Sequence, residues 1–185
     1  MTEAAPAEPL RTAHTYELTP AALQEIRVLL DAAFDGDFSD QDWDHGLGGI
    51  HTFVRDAHGL AAHGSVIQRR LLHRGRSYRV GYVEAVAVRA DRRRQGLGTR
   101  VMDALEKVID GAYALGALSA SDDGAALYTA RGWALWSGRI SALGPDGIVP
   151  LPAEEDSTYL RPAAGGLLPD PASELLFDWR DGDLL

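Results

Sequence analysis

The sequence contains no cysteine. That absence excludes a disulfide framework, a zinc site with cysteine ligands and a thiol nucleophile. No run approaches the roughly 20 apolar residues that span a bilayer, and no membrane partner is expected. Met1–Pro9 lacks the basic stretch and apolar core of a secretory signal and is interpreted as a flexible leader. The missing cysteines fit a reducing cytosol, so a cytoplasmic protein is expected.

Positive charge is also scarce. The 18 Lys and Arg residues are outnumbered by 27 Asp and Glu residues, which leaves a net charge of −9. Such a surface repels phosphate backbones, so we expect no nucleic-acid partner, and it attracts cationic ligands. Acidity of this degree can also serve solubility alone. The placement of the carboxylates therefore has to decide whether they bind a cationic ligand. The length of 185 residues predicts one domain, here assigned to residues 10–185.

The order of periodic segments predicts the fold class. Apolar residues recur at helical spacing from about Pro20 to Phe34 and most clearly over Gln95–Ala114. Between these helices, three segments are typical of antiparallel strands: Ile50–Arg55, Leu60–Arg70 and Ser77–Arg89. A further strand after the long helix completes a β-α-β crossover. The sequence therefore predicts an α+β (mixed α/β) fold, a mostly antiparallel central sheet flanked by helices.

One motif lies between the last of these strands and the long helix. Arg93-Arg94-Gln95-Gly96-Leu97-Gly98 has the form Arg-x-x-Gly-x-Gly. A helix N-terminus presents unpaired N–H groups and the positive end of the helix dipole, both of which favour an anion. The two glycines allow phosphate oxygens to approach the backbone, and the arginines add charge. A tight turn alone would explain the glycines, but the context favours a pyrophosphate site. The spacing matches neither a Walker loop nor a dinucleotide fold.

The strand Val86-Ala87-Val88 followed by this loop resembles the acetyl-CoA signature of the GNAT acetyltransferase superfamily. A second landmark of that superfamily, a helix with a tyrosine ending in Arg-Gly-aromatic, is similar to Ala126–Trp133. The resemblance implies the GNAT fold, in which the backbone of Val86, Ala87 and Val88 pairs with pantetheine. It implies that Arg93 to Gly98 hold the pyrophosphate, with acetyl-CoA as co-substrate and no metal.

A closer resemblance covers the chain from about residue 10 onward. Several segments are similar to the aminoglycoside 2′-N-acetyltransferases: Ala33–Phe38, Asp42-Trp43, Val66–Leu71, Gly81–Glu84, Gly111–Ser119 and Asp178–Asp183. The resemblance implies acetylation of the 2′-amine of these antibiotics, antibiotic resistance and a homodimer. Members of that family close with an acidic residue, one spacer and an aromatic. This sequence has Asp183-Leu184-Leu185 instead, so the stacking side chain is missing.

Two side chains are candidates for the proton transfers of the reaction. Glu84 interrupts the apolar strand Gly81–Val88, and a carboxylate is the natural acceptor of an ammonium proton, directly or through water. The alternative is a structural carboxylate paired with Arg79 or Arg69. Tyr128 is the candidate general acid, since a phenol stays protonated at neutral pH. A tyrosine at the edge of the core is the alternative. The Val86 N–H is the expected donor to the thioester carbonyl.

Carboxylates from distant parts of the sequence are expected on the acceptor side. The candidate acceptor-binding residues are Asp37, Asp42, Glu84, Ala85, Ser119, Glu154, Glu155, Asp156 and Asp183. Each has a simpler explanation: Asp37 would end a helix, Asp42 would complete a capping box with Ser39, and the late cluster would be a solvated loop. Ala85 stands where a smaller residue is expected.

Two other functions stay open from the residues. The first is a GNAT enzyme for another cationic acceptor, such as a polyamine or a cell-wall amino sugar. The second is a non-catalytic module that binds CoA or sequesters a drug; Glu84 and Tyr128 argue against it, because such a module needs neither.

Overall fold

A computed structural model of the protein describes residues 9–185, apart from the side chains of Asp122 and Asp123. The chain forms four α-helices and ten strands within those residues. In chain order these are β1 (Leu10–His14), α1 (Pro20–Ala33), α2 (Asp40–His45), β2 (Ile50–Asp56), β3 (Gly59–His73), β4 (Arg76–Val88), α3 (Leu97–Ala112), β5 (Leu115–Ser119), α4 (Asp122–Ala130), β6 (Ala134–Leu135), β7 (Ile140–Gly144), β8 (Gly147–Pro150), β9 (Thr158–Pro162) and β10 (Leu175–Asp178). The predicted leader falls almost wholly outside the described residues, and β1 begins where the predicted domain begins.

All ten strands belong to one mixed sheet whose centre is the long β3–β4 hairpin. The first part of β3 pairs with β2, and its last part pairs with β10 at Leu71 and Leu72. Two pairings are parallel, β4 with β5 and β7 with β10; the others are antiparallel. The predicted fold class, a mostly antiparallel mixed sheet flanked by helices, is therefore confirmed.

The β4–α3–β5 crossover places a gap in the middle of the sheet. β4 pairs with β5 only over Val80–Tyr82, opposite Leu115–Ala117. From Val83 to Val88 the edge of β4 that faces β5 has no paired strand in the described part of the chain. β5 turns instead to β9, with which it pairs along its whole length. The sheet thus opens next to the strand that carries Glu84.

Helices cover the two faces of the β2–β4 region. The apolar side of α3 packs on one face, where Val101, Leu105 and Ile109 are fully buried. On the other face, Ile26, Leu29 and Leu30 of α1 pack in a second cluster. The close fit of α3 depends on the absence of a side chain at Gly64. A Cβ built there would lie 2.8 Å from Val101 Cγ1 and 3.0 Å from Leu105 Cδ1.

The helices predicted from periodicity are confirmed, with boundaries displaced by one or two residues. Thr19 caps α1 with Pro20 at its first position, and Ser39 and Asp42 form the predicted capping box of α2. The strands β1, β7 and β8 were not predicted, because they are short and the last two lie in a Pro- and Gly-rich segment. No helix in residues 9–185 is long and apolar enough to cross a membrane.

Candidate active site

The Arg-x-x-Gly-x-Gly loop lies between β4 and α3, as predicted. Its backbone turns through left-handed conformations at Arg94, with φ of 57°, and at Gly96, with φ of 79°. Gly96 is the N-cap of α3, and among the described residues no side chain caps that helix. Since the first N–H groups of a helix have no intrahelical acceptor, this end presents donors to an anion. The backbone of Gln95 to Gly98 therefore fits a pyrophosphate.

The arginines before the glycines have different surroundings. Arg92 forms an ion pair with the buried carboxylate of Asp56, which Arg89 also binds at 2.6 Å. These hydrogen bonds, chiefly that from Arg89, hold the pKa of Asp56 far below its usual range. Arg93 and Arg94 are exposed, and the Nε of Arg93 donates to the Val88 carbonyl at 3.4 Å. Arg92, which directly precedes the predicted loop, thus secures that loop to the β2–β3 turn.

A β-bulge shapes β4 at the opening of the sheet. Ser65 pairs with Glu84 and His63 with Ala87, so Ala85 and Val86 together face the single residue Gly64. Ala85 has a φ of 50°, a conformation that favours glycine. The observation fits the expectation that a smaller residue belongs at position 85. Val86, Ala87 and Val88 follow on the open edge, where their backbone is available to an extended ligand.

A cleft lies beside this bulge and is called here the acceptor cleft. Its lining is Phe34, Asp37, Phe38, Asp42, His45, Tyr82, Val83, Glu84, Ala85, Val86, Ser119, Ser121, Tyr128, Arg180, Asp183 and Leu185. The structure therefore brings together most of the candidate residues from five separate segments. Glu155 and Asp156, expected here from the sequence, lie on the loop before β9 and are not among the lining residues, and their role in acceptor binding stays a prediction. Their partner Glu154 also lies outside the lining, but accepts a hydrogen bond from Ser119 Oγ at 3.0 Å.

Glu84 forms an ion pair inside this cleft. The guanidinium of Arg180 donates to Glu84 Oε1, and the two side chains are only 13% and 14% exposed. Arg180 also lies over the Tyr82 ring, 5.2 Å from its centroid, and its Nε donates to the Leu184 carbonyl at 3.0 Å. The sequence offered Arg79 or Arg69 as the partner of Glu84. The partner is Arg180, whereas Arg69 binds Asp178.

Tyr128 reaches the cleft from α4. Its ring is 8% exposed and packs against Trp133 and Tyr159, with centroids 6.3 and 6.4 Å away. Burial raises the pKa of Tyr128 to about 12. The phenol is therefore protonated at neutral pH and available as a proton donor. The two interpretations of Tyr128 are compatible, because it is a core-edge residue that also lines the cleft.

Three carboxylates besides Glu84 line the cleft: Asp37, Asp42 and Asp183. Asp42 also has the capping role, since its Oδ2 accepts from the Ser39 N–H at 2.8 Å. The sequence missed His45, Tyr82 and Arg180 as lining residues. No local spacing identifies them, because their side chains meet only when α2, β4 and the C-terminal segment pack together.

An open strand edge that leads to a helix N-terminus suits an extended thioester with a pyrophosphate, and this arrangement defines the class of acyl-CoA N-acyltransferases. The chain belongs to the GNAT acetyltransferase family, since the profile of the acetyltransferase (GNAT) domain matches residues 14–136. It is thus an acetyl-CoA-dependent N-acetyltransferase. The chain is 48% identical over 176 residues to an aminoglycoside 2′-N-acetyltransferase of Mycolicibacterium fortuitum, over 94% of this chain and 90% of that protein.

Solved structures show the same fold at low sequence identity. The GNAT family N-acetyltransferase YhbS of Escherichia coli, determined in complex with CoA, has a TM-score of 0.65 and 17% identity, over 97% of this chain and 94% of that chain. A probable N-acyltransferase of Enterococcus faecalis V583 has a TM-score of 0.59 and 14% identity. It is longer: the match covers 72% of this chain and 34% of that one.

Proposed function

We propose that this enzyme transfers the acetyl group of acetyl-CoA to the 2′-amine of aminoglycoside antibiotics and so confers resistance to them. The observation that carries the proposal is the acceptor cleft, where Glu84 and three aspartates lie beside the open edge of β4. Aminoglycosides carry several ammonium groups, which carboxylates bind and desolvate. The name of the Mycolicibacterium fortuitum relative supports the same acceptor.

The reaction requires a neutral amine, a polarised carbonyl and a proton for the leaving sulfur. Glu84 takes a proton from the acceptor ammonium, directly or through water, and the amine nitrogen then attacks the thioester carbon. The Val86 N–H donates to the carbonyl oxygen as negative charge develops there. The carbon–sulfur bond breaks as Tyr128 gives its proton to the departing thiolate, and the second proton lost by the acylated nitrogen restores the Tyr128 phenol, directly or through water. The absence of cysteine excludes a thiol-bound acyl-enzyme, which favours direct attack with both substrates bound together.

Arg180 has a part in this reaction. Its guanidinium occupies a position on Glu84 that suits a cationic group, so an acceptor ammonium has to displace it. Arg180 also borders a second, more open cavity with Asp40, Asp44 and Asp181. That cavity gives the displaced guanidinium carboxylate partners. The acceptor therefore replaces one cation on Glu84 by another, which limits the desolvation that binding requires.

The remaining expectations belong to this proposal. The acyl donor is acetyl-CoA, held by the backbone of Val86 to Val88 and by Arg93 to Gly98. The enzyme acts in the cytoplasm as a homodimer. The acceptor-binding role of Asp37, Asp42, Ser119 and Asp183 stays a prediction, as do the proton transfers of Glu84 and Tyr128. A polyamine or another amino sugar as acceptor remains the second candidate, favoured by the same acidic cleft.

Free-thiol release from acetyl-CoA tests the proposal. The assay uses two aminoglycosides that differ only at position 2′, one with an amine and one with a hydroxyl. We expect turnover with the 2′-amine alone, and a fall in kcat of about 100-fold or more for Glu84→Gln. Equal turnover of both drugs would contradict the 2′ position. Turnover of a polyamine alone would favour the second candidate, and CoA binding with no turnover would indicate a non-catalytic module.

A further inference from the structure

Two buried histidines lie next to the β4 bulge and take no part in the reaction described above. His51 of β2 and His63 of β3 are each 1% exposed. The Nδ1 of His51 is 3.0 Å from the Nε2 of His63, and the Nδ1 of His63 is 3.2 Å from the Ala85 carbonyl oxygen. At the other end, the Nε2 of His51 is 2.8 Å from the Thr15 hydroxyl. An unbroken hydrogen-bonded chain thus runs from Thr15 to the bulge.

The direction of every bond in this chain follows from its last member. A carbonyl oxygen only accepts, so the Nδ1 of His63 carries the proton. Burial lowers the pKa of His63 to about 3 and that of His51 to about 4, so both rings are neutral at pH 7. The Nε2 of His63 therefore accepts from the Nδ1 of His51, and the Nε2 of His51 accepts from the Thr15 hydroxyl at 2.8 Å, a shorter contact than the 3.2 Å from that hydroxyl to the Gly49 carbonyl oxygen. Both imidazoles are fixed as the Nδ1–H tautomer.

The bulge needs this support. Ala85 has the left-handed φ of 50°, which for an L-residue other than glycine carries a conformational cost of about 1–2 kcal/mol. The bulge also interrupts the pairing of β3 with β4, so the ladder does not hold Ala85 in register. Side chains of β3 bind the two carbonyls at this point, His63 that of Ala85 and Ser65, at 3.5 Å, that of Glu84.

The bulge determines where two reacting groups point. Val83 and Val86 both pack on the α3 side of the sheet, whereas Ala85 packs on the α1 side. The usual alternation along β4 is therefore offset by one residue. The offset places Glu84 in the acceptor cleft and Val86 on the open edge. Loss of the bulge would turn one of them away, because a one-residue shift moves side chains to the opposite face.

We propose that His63 is a positioning residue for acetyl transfer, which through its bond to the Ala85 carbonyl keeps Glu84 and the Val86 N–H in their reactive places, with His51 and Thr15 fixing its tautomer. The inference rests on the proposed roles of Glu84 and Val86. It assigns to His63 no contact with either substrate. Its effect is on geometry, and a misplacement of about 1 Å lowers a rate by as much as 100-fold.

His73 provides a matched control. It lies on the same strand, is 4% exposed, and its Nδ1 donates to the Glu174 carbonyl at 3.3 Å, at the end of β3 away from the bulge. We expect His63→Leu and His73→Leu to lose similar thermal stability. Only His63→Leu should lower kcat, by about 10- to 100-fold, with the Kd for CoA changed less than about threefold. His63→Asn keeps a donor near the Nδ1 position and should restore most of kcat.

Equal kcat values for His63→Leu and His73→Leu would overturn the proposal. If His63→Leu does not fold, the kcat values of His63→Asn and His63→Gln test the proposal instead. Glutamine places its amide near the Nε2 position and loses the bond to the Ala85 carbonyl, so its kcat should be the lower of the two. Imidazole ¹⁵N NMR of the unmodified enzyme gives an independent result: an Nε2–H tautomer for His63 would also overturn it. A normal kcat for Glu84→Gln would instead refute the proposed role of Glu84 as the base, and absence of turnover with every acceptor would refute the proposed function; the NMR result is independent of both.

Discussion

At the scale of single residues, the acceptor cleft contains a base that is already bound to a cation. Glu84 and Arg180 are each mostly buried, and Arg180 shares the cleft with three aspartates. Arg180→Gln removes the competing charge while keeping a donor for the Leu184 carbonyl. We expect the KM of a polycationic acceptor to fall by about threefold to tenfold, corresponding to about 1 kcal/mol of relieved repulsion. Steady-state kinetics at low ionic strength measures the change.

Arg180→Lys is the control for this substitution, because it keeps the positive charge and loses the planar guanidinium. Its KM should stay close to that of the unmodified enzyme. If Arg180→Gln instead raises KM, Arg180 binds the acceptor or holds the C-terminal segment in place, and the displacement described above is wrong.

Tyr159 is a control that distinguishes the proposed proton transfer by Tyr128 from its role in packing. Tyr159 is equally buried, packs against it and is absent from the cleft lining. Tyr128→Phe removes the proton donor, so we expect kcat to fall by about 100-fold, within the range usual for a general acid. Tyr159→Phe should leave kcat within about twofold. Equal effects of the two substitutions on thiol release would assign Tyr128 a packing role only.

At the scale of elements, one substitution at the N-terminus of α3 should raise the stability of the protein and weaken its binding of CoA. A Cβ at Gly98 would meet Leu127 and Val88 at 3.7 Å, an ordinary contact, so Gly98→Ala fits the protein. Alanine also favours the helix by about 0.5–1 kcal/mol. In the proposed pyrophosphate site, the same methyl group would hinder the approach of a phosphate oxygen to the backbone. We expect a higher melting temperature and a Kd for CoA raised about tenfold or more.

Gly111 near the other end of α3 is the matched control. A Cβ there meets nothing within 4 Å. Gly111→Ala should raise the melting temperature without changing the Kd for CoA, as measured by calorimetry. Unchanged CoA affinity in Gly98→Ala would place the pyrophosphate elsewhere.

The elements near the cofactor loop were largely predictable, whereas much of the acceptor side was not. The stripe of α3 and the apolar run of β4 carry local patterns, so periodicity located them within two residues. β7 and β8 form a short hairpin, and their five and four residues carry too little pattern to be recognised. The ion pair of Glu84 with Arg180 joins positions 96 residues apart. These two side chains meet only because the C-terminal segment packs beside β4.

The bulge in β4 likewise could not be predicted from the sequence. The sequence places Ala85 after Glu84 and suggests a smaller residue there, but no pattern announces a left-handed φ or a buried histidine beneath it. His51 and His63 lie in strands that also carry other polar residues, so neither histidine stands out in the sequence. Their relation appears only when β2 and β3 pair and bring the two rings together on one face.

At the scale of the whole molecule, the two substrates approach through regions of opposite charge. The net charge is −9, yet Arg93 and Arg94 lie at the pyrophosphate loop while carboxylates line the acceptor cleft. The opening between β4 and β5 joins these regions. In the proposed reaction, the cationic acceptor and the anionic CoA are therefore each attracted by a different part of the surface.

The buried histidines also make the stability of the whole molecule depend on pH. In the unfolded chain a histidine takes up a proton below about pH 6.5, whereas the pKa values of His51 and His63 are lowered to about 4 and about 3 in the fold. The unfolded state therefore binds more protons between these values, so stability falls as the pH falls. From pH 7 to pH 5 each histidine should remove about 2 kcal/mol from the free energy of unfolding.

Urea unfolding at pH 7 and at pH 5 measures this loss, and His63→Asn separates its sources. Asparagine does not titrate, so about half of the decrease should disappear in that variant. The lowered pKa of Asp56 does not interfere. The stability that this carboxylate contributes is lost only when the pH falls below the usual pKa of a carboxyl group. If the decrease between pH 7 and pH 5 is the same in both proteins, His63 takes up its proton over the same pH range in the folded and the unfolded chain, and its pKa is not lowered by the fold.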